Sequence, residues 1–333
     1  MFKQNKAFKS LLIALSLILA VTLVGCGKTA EPVQQTPAPV ATPEPAPAPA
    51  PEKPKLKAED VVLERAKDFA AARHAGQSYM IAAKDASEKI AAGNIFVLDV
   101  RSAEDFEKGH IAGAFNVSFV GGELATLLDR LPQDKEIYVL CYSGQQANQV
   151  NAALNVAGFN SKAITGGAGS WTKAELTLPE TGANPLSAAP AASEPTTDAD
   201  KLAWEKVEGY LGSVISAETS NFIAPAKLHE ELTASADKYY VVDIRVPKAD
   251  NYDQGHIEGS HFYSWEDMEK KMAEFPMDKK IVVGCWSGNN AGQAVALLRM
   301  NGYDAHLLTS GIDNGWLQKT KPEAERKPLP LVK

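Results

Sequence analysis

The chain has 333 residues, with 41 acidic against 34 basic side chains and a net charge of −7. That balance provides no basic footprint for a polyanion and excludes nucleic acid as an expected partner. Three cysteines without a Cys-x-x-Cys pair, no Cys/His cluster at zinc spacing and no glycine-rich nucleotide loop leave no metal and no cofactor expected.

Lys3, Lys6 and Lys9 precede an almost wholly apolar run over residues 11–24. At about 1.5 Å per residue that run is short for roughly 30 Å of hydrocarbon and has the form of a signal peptide. It ends in Leu23-Val24-Gly25-Cys26, which resembles the lipobox of bacterial lipoproteins. The resemblance implies that residues 1–25 are removed and that Cys26 carries a lipid, anchoring the protein on the extracytoplasmic face of the cell membrane. An uncleaved membrane anchor is the alternative, and it exports the rest of the chain equally. Residues 26–57 are rich in proline and alanine, including Pro37, Pro39, Pro43, Pro45, Pro47, Pro49 and Pro51. Such a run favours extended polyproline II and cannot bury a core, so it reads as a tether.

The remainder is long enough for two ordinary domains, and it is an internal repeat. Leu98-Asp99-Val100-Arg101 returns 144 residues later as Val242-Asp243-Ile244-Arg245. Gly109-His110-Ile111 returns as Gly255-His256-Ile257, Thr165-Gly166-Gly167 as Thr309-Ser310-Gly311, and Trp171 as Trp316. The copies are placed at 58–178 and 201–320, with a Pro/Ser/Ala/Thr linker at 179–200 and a tail at 321–333. In copy one, strands are predicted at 96–100, 137–140 and 163–165, and helices at 123–131 and after Cys141. Copy two repeats them with strands at 240–244, 281–283 and 306–309, and helices at 265–275 and after Cys285. Short β-branched runs alternating with helices predict α/β domains, each a central parallel sheet with helices on both faces. A helical lead-in at 61–74 and another at 202–215 are each expected to pack onto their own domain.

The densest repeat is a loop between a buried strand and a helix. It reads Cys141-Tyr142-Ser143-Gly144-Gln145-Gln146-Ala147 in one copy and Cys285-Trp286-Ser287-Gly288-Asn289-Asn290-Ala291 in the other. A cysteine there faces backbone N–H groups and the positive end of a helix, which favours thiolate and holds an anion beside it. One such cysteine is as readily a buried small hydrophobe. Two in matching settings point to reactive thiols. In an oxidising compartment Cys141 and Cys285 can pair only if their Cα atoms come within about 7 Å, and equivalent loops of a duplication have no need to meet.

Asp-x-Arg, Gly-His-Ile-x-Gly, strand–Cys–x–x–Gly–x–x–Ala and a Gly…Trp ending together resemble the rhodanese domain, over nearly all of both copies. The resemblance implies that Cys141 and Cys285 take a sulfane sulfur and hold it as a persulfide. The amides of Tyr142 to Ala147 and of Trp286 to Ala291 would cradle it before it passes to a thiol. The implied partners are a small sulfur donor and a thiol acceptor. One departure is chemical: the family commonly carries Arg at the sixth loop position, where this chain has Gln146 and Asn290. A neutral amide lacks the charge and the fork of guanidinium, so thiosulfate is expected to bind poorly and a polysulfide or small persulfide better. The rival reading is a rhodanese-like surface binding module without turnover. A thiol phosphatase is disfavoured because Ala147 and Ala291 stand where a phosphate-clamping Arg would be.

Asp99 with Arg101, and Asp243 with Arg245, are expected to form local ion pairs that fix the loops. His110 and His256 are expected to make structural hydrogen bonds, and Trp171 and Trp316 to cap the core. Trp286 is open to either a packing role or a place at the pocket mouth.

Overall fold

The computed structural model describes residues 55–216 and 221–333. The signal-like stretch, Cys26 and the tether up to residue 54 lie outside the described residues. Copy one runs α1 (Ala58–His74), β1 (Met80–Ile81), α2 (Ala83–Ala92), β2 (Ile95–Asp99), α3 (Ala103–Lys108), β3 (Phe115–Asn116), β4 (Glu136–Leu140), α4 (Gln145–Val156), β5 (Ser161–Ile164) and α5 (Gly167–Lys173). Copy two repeats this with α6 (Asp198–Gly212), β6 (Phe222–Ile223), α7 (Pro225–Ser235), β7 (Tyr239–Asp243), β8 (His261–Phe262), α8 (Trp265–Lys271), β9 (Lys280–Gly284), α9 (Asn289–Met300) and β10 (Ala305–Leu308). Each sheet is five-stranded and parallel, in the order β1-β5-β4-β2-β3 and β6-β10-β9-β7-β8. This is the α/β architecture that the alternating runs implied.

The central strands β4 and β9 are buried from their second residue to their end, because helices cover both faces. Alternate side chains serve different cores. Val97, Tyr138, Leu140 and Ile164 face Ala83, Ala86, Phe106 and Trp171 on the outer side of copy one. Val241, Val282 and Leu308 do the same with Leu228 and Trp316 in copy two. The opposite faces, with Leu98, Ile137, Val139, Val242, Ile281 and Val283, belong to one continuous core shared by both copies. α4 and α9 pack against each other at its centre.

Three expectations need correction. The lead-in helices do not stay with their own domains. α6 packs on the segment around residues 123–126 of copy one and α1 packs on α8 of copy two. Trp204 Nε1 donates to Ala157 O at 2.9 Å, and Tyr210 Oη donates to Gln149 Oε1 at 2.8 Å. Phe69 stacks on Tyr79 of its own copy but also meets Trp265 of the other, with ring centroids 6.2 Å apart. Each lead-in covers apolar surface on the partner copy that a lone domain would expose. The linker is not free either. Glu180 bridges to His110, Pro185 to Asn116, and Leu186 is fully buried, so copy one extends through residue 189. The tail is held in the same way, with Val332 bridged to His256 and Pro330 O accepting from Trp316 Nε1 at 2.9 Å. Finally, the helix expected at 123–131 is two 3₁₀ turns, Glu123–Thr126 and Leu128–Arg130, entered through Gly121 and Gly122 with positive φ. Its counterpart leaves α geometry at Lys271 for a 3₁₀ turn, four residues ahead of Phe275, which precedes Pro276 and takes the extended conformation that proline imposes.

Candidate active site

Both cysteines stand directly after the carboxyl ends of the central strands and before α4 or α9, the place where open α/β sheets build their sites. The fourth loop residue bends the chain back over the sulfur. Gly144 and Gly288 have φ of 86° and 89°, a region that excludes most side chains. Their N–H groups reach Cys141 Sγ at 3.1 Å and Cys285 Sγ at 3.2 Å, and Ala291 N approaches Cys285 Sγ at 3.4 Å. The arrangement is a ring of donors around a sulfur that can hold negative charge.

A second turn clamps each loop from behind. Ala168 N and Gly169 N donate to Cys141 O and Tyr142 O at 2.7 and 3.0 Å. Ile312 N and Asp313 N donate to Cys285 O and Trp286 O at 2.6 and 3.0 Å. Gly167 and Gly311, at φ of 57° and 67°, sit so close that a Cβ on either would enter the loop backbone. Gly166-Gly167 and Ser310-Gly311 are matched in the sequence repeat, and the reason for the match is steric.

The second-position aromatics lean on the loop after the Asp-x-Arg strand. Tyr142 Oη accepts from Ser102 N at 3.0 Å and donates to Asp105 Oδ2 at 2.9 Å. Trp286 Nε1 donates to Asn251 Oδ1 at 3.0 Å. The fifth-position amides turn away from the sulfur and cross between copies. Gln145 Oε1 accepts from Ser310 N at 2.8 Å while its Nε2 donates to Ser143 Oγ. Asn289 accepts from Asn148 Nδ2 at 3.1 Å and donates to Ser287 Oγ. The two loops therefore lie back to back across the α4–α9 contact. At the sixth position the copies differ: Asn290 Oδ1 accepts from Arg73 Nη2 at 3.0 Å, whereas Gln146 Oε1 is buried without a partner among the described residues.

The supporting residues fall at the same end of the sheets. Asp99 accepts from Arg101 Nη2 at 2.6 Å, and the same guanidinium donates to Gly109 O at 2.8 Å. Asp243 and Arg245 repeat this at 2.7 Å, with Gly255 O at 2.7 Å and Asp313 Oδ1 at 3.3 Å as further acceptors. His110 and His256 stack on Phe106 and Tyr252 and hydrogen-bond through Nδ1 to the carbonyls of those residues. Neither histidine is brought to a sulfur. Trp171 and Trp316 lie in the outer cores. A cleft of 560 Å³ between α6 and α9, lined by Glu205, Tyr210 and Arg299 among others, borders neither cysteine loop.

The resting thiols depart from the expected activated state. Both cysteines are free, and each is only 1% exposed. Burial pushes both thiols above the ordinary range, and the loop amides pull back without overcoming it. The donors are visible in the loop sequence, whereas the desolvation arises only in the folded core. A raised thiol pKa leaves little thiolate at neutral pH, so the rate of sulfur uptake is expected to climb with pH through and beyond the ordinary thiol value of about 8.5. Loading rates between pH 6 and 10 check this, and a plateau already reached by pH 7 would contradict it.

Two rhodanese-like domains match the chain, at residues 82–174 and 224–319, and the protein belongs to the rhodanese-like domain family. Among individual proteins it is similar to the putative sulfur carrier protein YrkF of Bacillus subtilis, 31% identical over 77 residues, which are 23% of this chain and 40% of that one. It is likewise similar to the thiosulfate sulfurtransferase GlpE of Shewanella oneidensis, 30% identical over 84 residues, 25% of this chain and 81% of that one. Among solved structures, a thiosulfate sulfurtransferase from Pseudomonas aeruginosa aligns over 81% of this chain and 50% of its own, at 20% identity and a TM-score of 0.35. The chain thus spans about half or less of two of these three proteins. Both lead-in helices lie outside the matched residues.

Proposed function

We propose that the protein is an extracytoplasmic, membrane-anchored sulfurtransferase or sulfur carrier that works through persulfides on Cys141 and Cys285. The observation that carries this reading is the ring of backbone donors aimed at each Sγ. It is built twice, each time at a strand's carboxyl end and each time locked by a second glycine turn. The thiosulfate sulfurtransferase among the relatives supports the same chemistry. The anchor rests on the sequence around Cys26.

In the first half-reaction the cysteine thiolate attacks the outer sulfur of a sulfane donor. A Cys–S–S⁻ bond forms, the donor's S–S bond breaks, and the remainder leaves with its electron pair, as sulfite when thiosulfate is the donor. The loop amides hold the terminal persulfide anion. An acceptor thiolate then attacks that outer sulfur and departs as a persulfide, and the cysteine thiolate is regenerated. No net redox change occurs at the protein.

Intact-mass analysis of the full chain exposed to thiosulfate or to polysulfide tests the proposal. Each competent cysteine is expected to add the mass of one sulfur, and the Cys141→Ser/Cys285→Ser double variant to add none. Unchanged loading in the double variant, or no loading of the wild type by either donor, overturns it. The second result leaves a binding module.

A further inference from the structure

α1 belongs to copy one, yet its last turn delivers Arg73 to the cysteine loop of copy two. Nη2 donates to Asn290 Oδ1 at 3.0 Å, and Nη1 donates to Gln77 O at 3.1 Å. The guanidinium carbon lies 5.2 Å from the ring centroid of Trp265. Nε is buried and has no hydrogen-bond partner among the described residues. Among the described residues no carboxylate comes within salt-bridge distance of this guanidinium, whereas Arg65, Arg101 and Arg245 are each paired. Burial weakens its hold on the proton, and the nearby Tyr79 offsets that loss only in part. A half-buried guanidinium with no carboxylate partner among the described residues favours an anion beside it.

Copy one shows no equivalent among the described residues. At the loop itself Gln146 Oε1 is left without a partner among the described residues, where Asn290 receives Arg73.

We infer that Arg73 completes the donor site of the second copy across the domain boundary. It makes Cys285 the position that takes dianionic sulfane donors of the thiosulfate class, and leaves Cys141 to donors of lower charge. The inference rests on the sulfurtransferase reading and revises the expectation that thiosulfate is served poorly by both loops. The attacking and leaving groups are those already given. Arg73 changes only how strongly the anionic end of the donor is held while Sγ attacks the outer sulfur.

The test uses the full chain as wild type, Arg73→Met and Arg73→Lys, with site-resolved peptide mapping of persulfide. One donor is thiosulfate and the other a simple alkyl hydropersulfide, which carries at most one negative charge. Wild-type Cys285 is expected to load from thiosulfate ahead of Cys141. In Arg73→Met the ratio of thiosulfate to hydropersulfide loading at Cys285 should fall about tenfold, the scale of one lost charge-assisted contact, with the ratio at Cys141 unmoved. Arg73→Lys, which keeps the charge without the fork, should recover part of it. An unchanged ratio, a parallel fall with both donors, or a preference of thiosulfate for Cys141 overturns the assignment. No loading of either cysteine by either donor overturns the sulfurtransferase reading itself, and this inference with it.

Discussion

Replacement of Asp99 by alanine is expected to destabilise the protein by about 3–5 kcal/mol, since it leaves the Arg101 guanidinium buried without its counter-charge. The Asp99 side chain is fully buried and that of Arg101 is 6% exposed, so water cannot take over the vacated contacts. Asp99 accepts from Arg101 N, Nε and Nη2, and among the described residues Gly109 O alone would remain for the guanidinium. In copy two the same change is expected to be milder by roughly 1 kcal/mol, because Arg245 keeps Asp313 at 3.3 Å as well as Gly255 O. Urea unfolding of Asp99→Ala and Asp243→Ala measures both numbers. Asp99→Ala/Arg101→Met should recover most of the loss, as removal of both charges leaves nothing unpaired. A single variant within about 1 kcal/mol of wild type would mean that the guanidinium finds solvent, contrary to its burial. The damage should also reach the site. Asn116 Nδ2 ties Asp99 O and Arg101 O together just ahead of Ser102 and Asp105, which anchor Tyr142. Sulfur loading should therefore slow at Cys141 more than at Cys285.

This ion pair shows how much a sequence of this kind discloses. Asp99-x-Arg101 and Asp243-x-Arg245 place the two charges on alternate residues at a strand end, so their pairing follows from local geometry alone. The same holds for the cysteine loops, where the strand, the glycine and the helix are contiguous and their order dictates amides pointing at sulfur. Local order does not dictate what crosses from one copy to the other. The lead-in helices carry apolar residues, Phe69 and Trp204 among them, that fit either copy equally well by pattern, and the choice is made by surface left uncovered elsewhere. Arg73 at the second loop, 217 residues away in sequence from Asn290, has no signal in the chain at all. The thiol state is hidden from the sequence for a related reason. The donors around Sγ are local, but the desolvation that outweighs them comes from the shared core in which Cys141 and Cys285 both sit. Glu180 and Val332 lie in segments with the composition of a linker and a tail, yet both continue their domains by bridging to the Gly-His motif.

The glycine turns behind the cysteine loops permit a sharper separation of steric from conformational effects. Gly311→Ala is expected to cost about 3 kcal/mol or more and to abolish loading at Cys285 while Cys141 still loads. Gly259→Ala serves as its reference. The two glycines have nearly equal φ, 67° and 72°, so alanine meets the same left-handed backbone penalty, about 1–2 kcal/mol, at both. Around Gly259 there is open space, and among the described residues no atom beyond its chain neighbours lies within 4 Å of the added Cβ. At Gly311 the Cβ would overlap Cys285 O and come within 2.8 Å of the amide nitrogens of Ser287 and Gly288. These are backbone atoms of the very loop that donates to Sγ, and they have no rotamer by which to escape. Relief requires the loop to lift from the turn, breaking the bonds from Ile312 N and Asp313 N and withdrawing the Gly288 amide from the sulfur. Thermal or urea unfolding, read with site-resolved loading, distinguishes the cases. Similar losses in both variants would mean that the loop shifts freely and that the clamp is not what holds the donors on Cys285. A much larger loss in Gly311→Ala, confined in its chemical effect to copy two, would establish the turn as the part of the fold that keeps the sulfur and its amides together.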